Sequence, residues 1–203
     1  MSTDPEHDTT ALRRIDAAHH IHPFTDPNAM AALGGTRVIT RGEGVFLFDS
    51  DGNRYIDGLA GLWCVALGYG RGELVAAAER QLRTLPYCSS FFHTTTPPAI
   101  ELSRLLTDRT PEGLDHVFFA SSGSESNDTI VRMIWNFWKL EGRPEKRILL
   151  SREYAYHGST VAAASLGGMS NMHAMSGVLP GVEHVLPPYA YKHARDGESP
   201  EAF

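Results

Sequence analysis

Phe118-Phe119-Ala120-Ser121-Ser122-Gly123-Ser124-Glu125-Ser126-Asn127-Asp128 passes from apolar residues through a small, hydroxyl-rich turn into a segment of helical periodicity. A strand that enters a helix this way makes an anion site. The first N–H groups of the helix lack intrahelical partners, and the positive end of its dipole favours negative charge. Gly123 permits close backbone approach, and Ser122 and Ser124 add hydroxyls; an ordinary serine N-cap gives the same local pattern. A Walker A loop is excluded, because the first lysine after Gly123 is Lys139. A Gly-x-Ser-x-Gly nucleophile elbow is excluded by Glu125 two positions after Gly123.

Downstream, Arg147-Ile148-Leu149-Leu150-Ser151 reads as a second strand, leading through Glu153-Tyr154-Ala155 to Tyr156-His157-Gly158-Ser159-Thr160. Open α/β sheets bind ligands at the carboxyl ends of their strands. A phosphate cup at one strand end and the Tyr156 ring at the next are suited to a planar, phosphorylated heteroaromatic ring.

The pattern around these junctions predicts strand 116–120, helix 124–141, strand 147–151, helix 158–166 and strand 183–186. Such a βαβαβ run implies a parallel sheet. Helix 124–141 carries Ile130, Val131, Met133, Ile134, Trp135, Phe137 and Trp138 against a thin polar stripe, and is expected to be mostly buried. Towards the N-terminus, helices are expected near 98–107 and 72–84. Val45–Asp49 and Arg54–Asp57 flank the turn Ser50-Asp51-Gly52-Asn53 as a β-hairpin. A long irregular stretch precedes the hairpin. Before it, Thr9 or Thr10 is expected to cap a short helix carrying Leu12, Ile15 and Ala18, and residues 1–9 are expected to be disordered.

With 42% apolar residues the chain can supply a core. A formal net charge of -6 with scattered Lys and Arg gives no reason to expect nucleic acid or an anionic membrane. No apolar run approaches the roughly 20 residues of a membrane span. Cys64 and Cys88 have no metal or redox spacing and suggest a reducing compartment; a disulfide between them stays open. The acidic, polar start shows no targeting signal, so a cytoplasmic location is expected. His19, His20 and His22 invite a metal reading, which is set aside because no carboxylate or Cys partner is visible among the loop residues, and no metal is expected.

Ser122–Asp128 and Tyr156–Thr160 resemble the phosphate-cup and ring-stacking motifs of class III pyridoxal-phosphate-dependent aminotransferases. Asp57–Cys64, Gly68–Arg71, Phe91–Thr95 and Ala164–Met169 resemble the ω-transaminase branch, which includes amine:pyruvate and β-alanine:pyruvate enzymes. The resemblance runs from about Ile21 to the end. It implies a fold-type-I α/β transferase organised as a flexible N-terminus and short helix (1–20), an N-terminal segment with the hairpin (21–70) and the first half of a large cofactor domain (71–203). It also implies pyridoxal 5'-phosphate as cofactor, an amine donor and a keto-acid acceptor such as pyruvate, and a homodimer. By position, Ser122, Gly123 and Ser124 would hold the phosphate. Tyr156 would stack on the ring with His157 behind it, and Phe24, Leu62, Trp63 and Phe91, with Tyr156, would line the substrate pocket.

The family's chemistry needs a lysine that bonds the cofactor covalently and moves the proton. Lys139, Lys146 and Lys192 are the only lysines, and none stands in the family's context for that residue, so no catalytic residue is assigned here. The resemblance implies a family chain about twice as long, and the 203 residues are expected to be its N-terminal portion, prone to aggregate and inactive alone. Alternatives are a diaminopelargonate, ornithine or 4-aminobutyrate aminotransferase, or a non-catalytic homologue acting as a binding partner.

Overall fold

The computed structural model describes residues 7–199. Most of the segment expected to be disordered, residues 1–6, lies outside them, as does the final tail from residue 200. The chain divides into two compact units, Met1–Thr96 and Pro97–Phe203. This division falls later than the boundary expected after residue 70.

In the first unit, α1 (Thr9–His19) is capped by Asp8, one residue before the expected Thr9. The Asp8 side chain accepts from the Ala11 N–H, and Thr9 instead donates its hydroxyl to Ser50 Oγ at 2.7 Å. The stretch expected to be irregular contains two elements. Asp26 followed by Pro27 opens α2 (Pro27–Ala32), with the Asp26 carboxylate accepting from the N–H groups of Asn28 and Ala29. Strand β1 (Ile39–Glu43) then pairs with β2 (Phe46–Asp49), and β2 with β3 (Arg54–Ile56), all antiparallel in the order β1-β2-β3. The expected hairpin is therefore present. Its turn is organised by Asp49, only 4% exposed, whose carboxylate accepts from the N–H groups of Asp51 and Asn53, the Asn53 amide and the Tyr55 hydroxyl. These bonds overcome the opposing effect of burial and hold the Asp49 carboxyl below its ordinary range. Gly52 supplies the positive φ of 81° that the turn requires. Helix α3 (Gly72–Thr84) falls where the periodicity puts it.

In the second unit, α4 (Pro97–Thr107) is followed by α5 (Gly123–Leu140), β4 (Leu149–Arg152), α6 (Val161–Leu166), α7 (Ser170–Ser176), β5 (Val182–Val185) and α8 (Ala190–His193). Strands β4 and β5 pair in parallel, from Leu149 with Val182 to Arg152 with Val185. Residues 116–120, expected as a strand, take no ladder partner among the described residues; a strand is defined by its neighbour, and apolar sequence alone does not provide one. Helix α6 starts later than expected, because Gly158 at φ 128° cannot belong to a helix and the Thr160 hydroxyl caps it by accepting from the Ala163 N–H. Short helices α7 and α8 were not anticipated.

The small core of this unit is built from Ala163, Ala164 and Ser165 of α6 and Val131 of α5. Ser165, 1% exposed, donates to the Val161 carbonyl and accepts from the Leu179 N–H. The expected burial of α5 is corrected: Val131 is its only buried residue, and Met133 and Phe137 stand more than half exposed. Periodicity marks which face of a helix is apolar, but burial depends on what packs against that face.

Candidate active site

Helix α5 begins with Ser122 as N-cap, its hydroxyl oxygen accepting from the Glu125 N–H at 3.2 Å. Glu125 reaches back to accept from the Ser121 N–H at 2.9 Å, which makes a reciprocal cap. The N–H groups of Gly123 and Ser124 find no acceptor among the described residues, as the first turn of a helix dictates. Two free donors and two serine hydroxyls gather at the positive end of an 18-residue helix, an arrangement suited to an anion.

The loop carrying Tyr156 and His157 is clasped to this helix start by three hydrogen bonds. Asn127 Nδ2 donates to the His157 carbonyl at 2.6 Å, the Ser159 N–H to Ser124 Oγ at 3.0 Å, and the Thr160 hydroxyl to Asp128 Oδ1 at 2.8 Å. Ser124, Asn127 and Asp128 stand at i, i+3 and i+4 and so share one helix face. The contact is close enough that only glycine fits at 158: a Cβ there would lie 2.3 Å from Ser124 Oγ and 2.9 Å from Ser124 Cα. The structure thus brings Ser122, Gly123 and Ser124 together with the Tyr156–His157 loop and leaves Tyr156 57% exposed.

A second clasp holds the loop from behind. The Tyr154 N–H donates to the Gly168 carbonyl at 3.0 Å and the Gly168 N–H to the Ala155 carbonyl at 2.9 Å. The Gly167 carbonyl accepts from His173 Nε2 at 2.6 Å and His184 Nε2 at 2.8 Å. A Cβ on Gly168 would stand 2.4 Å from the Arg152 carbonyl oxygen and 2.5 Å from Glu153 Cα. These positioning groups were missed in the sequence; the i, i+3, i+4 spacing of Ser124, Asn127 and Asp128 was the available signal for the first clasp, and the glycine pair for the second.

Apart from Tyr156, the residues expected to line a substrate pocket lie in the first unit and stand on or beside left-handed backbone. Phe24 has φ 51°, Leu62 57° and Trp63 67°, and Phe91 precedes Phe92 at 56° and His93 at 69°. Left-handed backbone costs a residue with a Cβ on the order of 1–2 kcal/mol, and such strain concentrates at functional loops. Asp57 shapes the Leu62–Trp63 loop: Oδ2 accepts from the Gly61 N–H and the Tyr69 hydroxyl, both at 2.7 Å, and Oδ1 from the Leu59 N–H at 3.2 Å. The Tyr69 bond holds the Asp57 carboxyl below its ordinary range and raises the Tyr69 phenol. Trp63 is 82% exposed, so packing within this chain does not account for its presence on that loop. The three lysines are all exposed: Lys139 lies in the last turn of α5, Lys146 Nζ sits 3.6 Å from the centre of a Trp138 ring, and Lys192 Nζ lies 4.8 Å from that of Tyr154.

An α/β unit in which an open helix start is tied to an aromatic loop has the donors and the ring face that a phosphorylated cofactor would need. The aminotransferase class-III family model matches residues 29–202, and the chain belongs to that family. It is 48% identical over 196 residues to putrescine–pyruvate aminotransferase of Pseudomonas aeruginosa, covering 96% of this chain and 42% of that protein. It is 42% identical over 168 residues to gamma-aminobutyrate transaminase 1, mitochondrial, of Oryza sativa subsp. japonica, covering 82% and 33%. Among solved structures, the omega transaminase of Pseudomonas jessenii in complex with PMP superposes with a TM-score of 0.90 at 41% identity, covering 94% of this chain and 42% of that one. The (S)-enantioselective omega-transaminase of Thermomicrobium roseum gives 0.87 at 39% identity, covering 92% and 42%. The fold is thus that of fold-type-I transaminases, and the chain spans about two fifths of the length of the first of these relatives.

Proposed function

We propose that this chain supplies the phosphate-holding, ring-stacking and much of the substrate-facing part of a pyridoxal-phosphate-dependent ω-transaminase. The reaction moves an amino group from an amine or ω-amino acid to a keto acid such as pyruvate. The observation that carries this reading is the free helix start of α5 clasped to the Tyr156–His157 loop. Pyridoxal phosphate, when bound, supplies the electron sink for proton loss from the carbon bearing the amino group.

The residues of this chain divide the remaining tasks. The Gly123 and Ser124 N–H groups and the hydroxyl protons of Ser122 and Ser124 hold the phosphate. The hydroxyl oxygens of Ser122 and Ser124 are already engaged as acceptors, which aims their protons outward. Tyr156 covers one face of the ring and excludes water from it, and His157 flanks it. Phe24, Leu62, Trp63 and Phe91 bind the apolar part of the donor and acceptor. No lysine of this chain is assigned the proton transfer. Assembly as a homodimer and a cytoplasmic location complete the proposal. A second reading, a 4-aminobutyrate aminotransferase, draws on the resemblance to the rice enzyme.

Titrating the protein with pyridoxal phosphate, followed by circular dichroism in the cofactor's absorption band, tests the assignment. A saturable signal that inorganic phosphate competes away and that Ser124→Ala weakens about tenfold is expected, the loss of one hydrogen bond to a charged group. Borohydride treatment is expected to leave Lys139, Lys146 and Lys192 unmodified by mass spectrometry. Absence of a saturable signal would overturn the cradle, and a specific adduct on one of these lysines would overturn its exclusion from catalysis.

A further inference from the structure

The carboxylate found missing beside the N-terminal histidines is supplied by α1. Asp16 and His20 stand at i and i+4 on one face of the helix, and His20 is the residue at which the helix ends, its N–H still donating to the Asp16 carbonyl. Two residues on, the chain has turned back far enough for His22 to reach the same carboxylate. His20 Nδ1 lies 2.9 Å from Asp16 Oδ1, His22 Nε2 lies 2.8 Å from Asp16 Oδ2, and the two ring centres are 4.1 Å apart. One nitrogen of each imidazole and one carboxylate oxygen all fall within 4.8 Å of one another. The earlier expectation of no metal rested on the loop histidines alone; Asp16 was hidden inside the helix.

We propose that Asp16, His20 and His22 form a binding site for a divalent transition-metal ion of the zinc type. Two imidazole nitrogens and one carboxylate oxygen are a ligand set for Zn²⁺ and its neighbours, whereas Mg²⁺ and Ca²⁺ take mainly oxygen. Tetrahedral Zn²⁺ with ligands at about 2.1 Å spaces them about 3.4 Å apart, which falls between the imidazole–carboxylate contacts of 2.8–2.9 Å and the 4.8 Å within which the three ligand atoms lie. The three side chains border a pocket of about 180 Å³, room for an ion with water in the fourth position. Arg13 also lines this pocket, but its guanidinium is held by the Thr36 carbonyl at 2.9 Å and by Asp51 at 3.0 Å. The Asp16 and His22 side chains are 17% and 22% exposed, so both are already partly removed from water. The bound ion would tie His22-Pro23-Phe24 to α1 and fix the loop on which Phe24 holds its left-handed backbone. The three ligands belong to the first unit, and the proposed phosphate-holding residues to the second.

The test is calorimetric titration of chelator-treated protein with ZnCl₂ at pH 7.5 in buffer free of phosphate and pyridoxal phosphate. The expected result is one ion per chain, bound at least tenfold more weakly by His22→Gln and by Asp16→Asn, and with unchanged affinity by His19→Gln. Far-UV circular dichroism checks that each variant is folded. As a measurement that needs no variant, Co²⁺ is expected to broaden the ring-proton resonances of His20 and His22. Equal zinc affinity in wild type, H22Q and D16N, or broadening confined to the neighbourhood of Cys64 and Cys88, would overturn the site.

Discussion

The two units solve the problem of presenting side chains to a ligand in opposite ways. In the second unit, the cradle of α5 and the Tyr156 loop are built on regular elements. Side-chain hydrogen bonds lock them, and glycines stand where no other residue fits. In the first unit, Phe24, Leu62 and Trp63 sit on left-handed backbone, exposed, in loops braced by short backbone turns and, around Leu62 and Trp63, by the Asp57 carboxylate. A cofactor that stays bound favours a rigid, pre-formed contact surface, since ordering it on binding would weaken affinity. A pocket for varied amines, proposed for these residues, would tolerate loops whose conformation depends on what surrounds them.

Changes at the cradle side should therefore be the most damaging. Gly168→Ala places a methyl against the main chain of Arg152 and Glu153, which cannot rotate away, and Gly158→Ala does the same against Ser124. We expect each to lower stability by about 2–3 kcal/mol, measured by urea denaturation, and to abolish pyridoxal-phosphate binding. Gly58→Ala in the first unit, with nothing within 4 Å of its added Cβ, is the control. A cradle unaffected by either substitution would break the contrast.

Next in size is Asp49→Ala, which strips four donor groups of a buried acceptor at the base of the turn. A loss of about 2 kcal/mol is expected from the unsatisfied donors, read by the same denaturation. The same carboxylate predicts a pH dependence. Its native pKa is depressed, so its contribution is present in full above the unfolded-state value of about 3.9 and is lost as the pH falls through the native one. Asp57 acts in the same direction. Thermal melts between pH 3 and 6 should show the wild type losing stability below about pH 4, and Asp49→Asn losing less.

Ser122→Ala removes the N-cap of α5 and should cost about 1 kcal/mol, with weaker phosphate binding as the more sensitive readout. The smallest effect on stability is expected from Trp63→Ala, within about 0.5 kcal/mol, because the ring is almost wholly exposed. Its consequence should appear in the choice of amine donor, and a large change in melting temperature would show that Trp63 is held by packing after all.

Much of the architecture was legible because it is written in local rules. The Asp-Gly turn between alternating strands, the 13-residue periodicity of α3 and the serine-glycine entry to α5 are each decided within a few residues. The Asp26-Pro27 start of α2 obeyed a local rule too and was passed over. Strand 116–120 and the burial of α5 were misjudged for the converse reason. Both depend on what pairs with or packs against them, and apolar composition does not name that partner.

By itself, the sequence determined the serine-capped start of α5, the hairpin turn and the family to which the chain belongs, because these rest on short motifs and backbone rules. Only the tertiary structure decided that Asn127, Asp128 and Gly158 clasp the Tyr156 loop to that helix start, that Gly168 locks it from behind, and that Asp16 joins two histidines. Each of those contacts closes a loop of chain, and which loops close is set by the packing of whole elements against one another, a property that no single segment carries.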